Sequence, residues 1–63
     1  MIREFVIEVF SEDERNLGFI STEYDLTQNK EKALRFLDKQ EALAAADEAE
    51  EAHIEWYTEV KRA

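Results

Sequence analysis

The chain has no cysteine, no proline, one glycine and one histidine in 63 residues. Without cysteine there are no disulfides and no thiolate metal sites, and no pointer to an oxidising compartment. A single glycine, Gly18, cannot build a phosphate-cradling loop, so nucleotide binding by that route is excluded. A single histidine leaves Ser11, Ser21, Thr22, Thr27 and Thr58 without a base at a meaningful spacing. Apolar runs are short, so nothing spans a membrane. The opening Met1-Ile2-Arg3-Glu4 does not start the apolar stretch of a signal peptide, and a cytoplasmic location is expected.

What is present is mostly charge. Sixteen acids against eight bases give a net charge of −8. Such a surface repels phosphates and anionic lipid, so direct nucleic-acid binding is not expected and a basic protein partner is. High charge also marks disordered chains, but 44% apolar residues with seven aromatics argue for a folded core. The length allows one domain, residues 1–63, with a thin core and a net stability of only a few kcal/mol. A general acid needs a desolvating pocket that so small a core can hardly make, so the chain is not expected to be an enzyme, and no cofactor or metal is expected.

The pattern along the chain predicts an α+β fold in the order β-β-α-β. Residues 2–10 are β-branched and aromatic, with Phe5, Ile7 and Val9 on one face. Residues 11–16 form a polar loop, where Ser-x-x-Glu resembles a capping box but lies between strands. Leu17 to Leu26 reads as a second strand, with Tyr24 in its alternation and Gly18 where a bulge could bend it. Lys30 to Phe36 predicts a helical turn or two. Asp38-Lys39-Gln40-Glu41 is a capping box with Leu37 and Ala42 at staple positions, so the main helix starts at Asp38 and runs to about Ala52. Ala42, Ala45 or Ala46, Ala49 and Ala52 form its inward stripe. Residues 54–61 alternate as a strand, although His53, Trp56 and Val60 also fit a continued helix. The expected result is a three-stranded antiparallel sheet, order 2-1-3, covered on one face by the helix.

Between Gln40 and Val60 there are seven acids and no lysine or arginine. Asp47, Glu50 and Glu51 share a helix face, Glu48 lies beside them, and Glu55 extends the ridge past the helix end. No lysine at i±4 pairs them, and the helix dipole disfavours anions there. They are the candidate partner-binding residues, set against the reading that they form an ordinary solvated face. A second candidate is the sheet face away from the helix, where Trp56 or Tyr57 would join Val6 and Phe10 in an apolar patch. Glu50 and His53 have a metal-site spacing, but a histidine near a helix C-terminus is adequately explained by the dipole.

Ala33-Leu34-Arg35-Phe36 followed by Glu41-Ala42 in an alanine-rich helix resembles the short stand-alone products common in phage genomes. In type the chain is similar to anti-CRISPR and anti-restriction inhibitors, several of which are acidic DNA mimics. These share no motif that would carry a functional residue over. The resemblance implies a phage-encoded inhibitor in the host cytosol, blocking a basic nucleic-acid-binding surface of a defence complex such as a CRISPR effector. The alternative is a structural or regulatory module that pairs through its open sheet face. A monomer or weak dimer is expected.

Overall fold

A computed structural model describes residues 4–22 and 25–63. The expected strand positions Ile2, Arg3, Glu23 and Tyr24 lie outside the described residues. The fold is α+β, with one α-helix among the described residues packed on a single antiparallel sheet.

Strand β1 (Phe5–Phe10) is the most apolar segment and lies inside the sheet. Ile7 and Val9 face the helix and form the core with Ile20 and Ala46. Val6 and Glu8 point to the other face and are buried as well. After β1 a tight loop turns the chain. The Glu14 N–H donates to the Ser11 carbonyl at 3.0 Å, and Glu14 takes a positive φ of 64°. The Ser11 hydroxyl bonds Asp13, so the Ser-x-x-Glu motif serves a turn and starts no helix.

Strand β2 (Asn16–Ile20) pairs antiparallel with β1. Glu8 lies opposite Phe19 and Val9 opposite Gly18, but Phe10 lies opposite Asn16, which leaves Leu17 as the extra residue of a bulge. Gly18 has φ 118°, and a Cβ there would stand 2.5 Å from the Thr27 carbonyl oxygen. Glycine is required both by this backbone conformation and by the close approach of Thr27.

The second strand does not continue to Leu26, as the alternation suggested. It stops at Ile20, and Ser21 and Asp25 close a turn through Ser21 N–H to Asp25 carbonyl (2.7 Å) and Asp25 N–H to Ser21 Oγ (3.2 Å). The chain then returns as β3 (Leu26–Thr27) along the outer edge of β2. Among the described residues the sheet therefore has four strands in the order β3-β2-β1-β4, not three in the order 2-1-3. The short polar side chains at the turn compete with the sheet ladder for backbone groups, which strand alternation does not register.

Residues 30–36 also depart from expectation. Only Lys30–Lys32 is helical, a 3₁₀ turn capped by Asn29 Oδ1 accepting from the Glu31 N–H at 2.9 Å. Residues 33–36 cross the end of the sheet in bridges, Ala33 to Ser21 and Phe36 to Phe5. The Phe5–Phe36 pair exchanges two backbone bonds of 2.8 and 2.9 Å. Tertiary pairing outweighs the weak helical preference of a segment too short to hold a helix by itself.

Helix α1 (Lys39–Ala52) begins where the capping signal placed it. Asp38 Oδ1 accepts from the Gln40 N–H at 2.8 Å. The staple is not formed, because Leu37 is 73% exposed. Ala42 and Ala46 are buried and Ala45 and Ala49 half-buried, whereas Ala52, expected in the inward stripe, is exposed. The helix ends at His53, whose ring stacks on Trp56 with centroids 3.7 Å apart. The Trp56 N–H reaches the His53 carbonyl at 2.9 Å and closes a turn. That turn sets Ile54 out in solvent at 87% exposure and delays the last strand, β4 (Tyr57–Arg62), by three residues from the expected start. All six residues of β4 pair antiparallel with β1.

Candidate functional site

Two surfaces carry the chemistry singled out from the sequence. The first is the outer face of α1. Ala45, Ala46 and Ala49 pack into the core, so helical geometry turns Asp47, Glu48 and Glu51 outward, and all three are exposed. Asp47 and Glu51 are four residues apart, about 6 Å along the axis. Glu55, in the turn after the helix, is exposed too. Among the described residues, no lysine or arginine forms an ion pair with any of these four, whereas Asp13, Glu4, Glu8 and Glu59 are all paired. No positive side chain occupies the last turn of α1.

Glu50 separates from this group. It was expected to be exposed and unpaired, but it is half-buried on the flank of the helix that faces β4. Its Oε2 accepts from the Thr58 backbone N–H at 3.1 Å and from the Thr58 hydroxyl. The side chain links α1 to β4 across eight residues of sequence. Helical spacing alone places Glu50 within the ridge, and only the path of β4 shows that it is engaged. Glu50 and His53 do not converge on a common point, since His53 is held against Trp56. Among the described residues no group of three or more His, Asp or Glu side chains could hold a metal ion.

The second surface is the sheet face opposite α1. Tyr57, 57% exposed, pairs with Phe10 on this face, while Trp56 packs into the core. The expected patch is only partly apolar, because its centre is a charge pair. Glu8 is 8% exposed, with its carboxylate between Lys61 Nζ on β4 and Asn16 Nδ2 on β2. Lys61 Nζ also stands 5.8 Å from the centroid of the Phe10 ring and 3.8 Å from Glu59. Its hydrogen bond to Glu8 is the main cause raising the Lys61 amine above the ordinary lysine range, against partial desolvation and with help from the charges of Glu8 and Glu59. One carboxylate thus ties β1 to both of its neighbours. The signal for this was present in the alternation, since Glu8 and Lys61 fall on the same face once β1 and β4 are paired in register.

Among the described residues, no helix is long and apolar enough to cross a membrane. No protein-family model, curated protein or solved structure matches this chain.

Proposed function

We propose that this chain is an acidic binding protein that occupies a basic, nucleic-acid-binding surface of another protein, in the manner of the small phage inhibitors it resembles. The observation that carries this reading is the outer face of α1, where Asp47, Glu48 and Glu51 stand exposed without a cationic partner among the described residues. Three carboxylates crowded toward the negative end of a helix dipole lower stability by a few tenths of a kcal/mol each. A surface shaped for folding alone would intersperse lysines. A partner rich in arginine and lysine would relieve that repulsion, and Glu55 extends the same ridge. The implied target is a nucleic-acid-binding component of a host defence complex, a CRISPR effector among them, met in the host cytosol. A second reading, a module that pairs through the sheet face, draws on the exposed ring of Tyr57 beside Phe10.

The test is a capture experiment from host lysate with the parent chain and with Asp47→Lys/Glu48→Lys/Glu51→Lys. The parent is expected to retain a basic nucleic-acid-binding protein that rising salt and added duplex DNA both release. The triple variant should lose at least about tenfold in affinity, since screened charge pairs of about 0.5 kcal/mol each sum across the ridge. Its thermal stability should hold or rise slightly. Equal binding by parent and triple variant would sink the ridge hypothesis, and salt-insensitive binding weakened by Tyr57→Ala would favour the sheet face instead.

A further inference from the structure

The geometry points to β4 as a docking edge for a second copy of this chain, with Val60 on the two-fold axis and Glu50 acting as a guard that competes for the same edge. β4 has β1 on one side and, among the described residues, no strand on the other. In an antiparallel pair, backbone groups point alternately toward and away from the partner. Two bonds fix the phase here. The Ala63 N–H bonds the Glu4 carbonyl at 2.9 Å, so the odd-numbered residues of β4 face β1. The Thr58 N–H instead goes to Glu50, so the even-numbered residues face outward. The outer edge therefore presents the N–H and C=O groups of Thr58, Val60 and Arg62, and Glu50 occupies only the first of these donors.

The side chains select one register. With Val60 opposite Val60 of a second copy, the two residues exchange a pair of backbone bonds and Thr58 lies opposite Arg62. Glu59 then faces Lys61 twice across the junction, in the close, non-hydrogen-bonded positions where opposite charges stabilise. Sliding the axis by one residue sets Glu59 against Glu59 or Lys61 against Lys61, both destabilising. Each copy carries −8, so the whole molecules repel while this one strand is complementary to itself. Association is therefore strengthened by salt, which shortens the screening length from about 8 Å at physiological ionic strength to about 3 Å at 1 M. Glu50 weakens association, because the Arg62 carbonyl of the second copy must displace it from the Thr58 N–H. Unpaired edges of this kind are commonly blunted by charged side chains that cover them.

Sedimentation equilibrium of the full chain over a range of salt tests this. The parent should be monomeric at low salt and populate a dimer at millimolar concentration in high salt. Val60→Pro removes an outward N–H that the β1 ladder does not use, and should stay monomeric throughout, while Val60→Thr behaves as the parent. Should the proline variant lose its circular dichroism signature, Glu59→Lys decides. It lowers the net charge, which by itself favours association, yet sets like charges opposite each other and should weaken the dimer. Glu50→Ala should tighten the dimer by about two- to tenfold relative to Glu48→Ala, the worth of one released hydrogen bond. A parent that remains monomeric in high salt at millimolar concentration overturns the proposal. So does a dimer untouched by both Val60→Pro and Glu59→Lys, which would lie on another face.

Discussion

Glu8 and Glu51 are the same residue in opposite circumstances. Glu8 lies at the centre of the sheet, nearly buried, with both carboxylate oxygens engaged by neighbouring strands. Glu51 lies on the outside of α1 with no partner among the described residues. Burying a carboxylate is costly unless it is paired, so Glu8 is tolerated only because Lys61 and Asn16 meet it. Glu51 pays no desolvation cost and forms no ion pair among the described residues. Charge that the fold uses and charge that it leaves over are thus separated onto two sides of the same sheet–helix sandwich, and the leftover side is the better candidate for binding.

The contrast can be broken most directly at Glu8. Glu8→Ala leaves Asn16 and Lys61 without their acceptor and removes a side chain packed between strands. We expect a loss of about 2 kcal/mol, discounted because Lys61 remains half-exposed to water. Glu51→Ala should stay within about 0.5 kcal/mol of the parent. Urea midpoints measured at an unchanged slope compare the two. Equal effects would remove the distinction between the two sides.

Glu50 sharpens the same comparison from the middle. Sequence spacing puts it with Glu51, but its bonds put it with Glu8. Glu50→Ala should therefore cost about 1 kcal/mol, the usual net worth of a lost hydrogen-bonded link, with its effect read in thermal denaturation of the monomer at low salt. If Glu50→Ala were as silent as Glu51→Ala, the tie to Thr58 would carry no weight in solution.

The smallest effect concerns pH. The Lys61 amine is raised above its ordinary range, chiefly by its hydrogen bond to Glu8. A lysine raised in the folded state contributes stability that is fully present below the unfolded value of about 10.4 and is lost as pH rises through the folded value. The stability difference between the parent and Lys61→Met should therefore be constant across neutral pH and shrink under alkaline conditions. A difference that grew with pH would contradict the Glu8–Lys61 assignment.

Much of the architecture was legible in short-range chemistry. The apolar run of β1, the Asp38 cap, the alanine stripe at Ala42 and Ala46, and the bulge beside Gly18, at Leu17, each depend on a few neighbouring residues and survive into the fold. The break after Ile20 was not legible, because Ser21 and Asp25 sit at positions that fit strand alternation equally well. Nor was the extended path of residues 33–36, whose partners Phe5 and Ser21 are distant in sequence. At the candidate site, the exposure of Asp47, Glu48 and Glu51 followed from the helix period once the alanine face was known. Glu50 defeated the same logic because β4 passes beside one flank of the helix and not the other.

Composition and periodicity by themselves determined that this is a charged chain with a thin core, one well-capped helix and a central strand. These properties depend on single residues and spacings of two to four. Only the tertiary structure decided which carboxylates are spent on the fold, because pairing a charge depends on which strand lies next to which. Glu8 acquires Lys61 and Glu50 acquires Thr58 through the docking of β4, and Asp47, Glu48 and Glu51 keep their charge free because nothing in the described chain folds back over the outer face of α1.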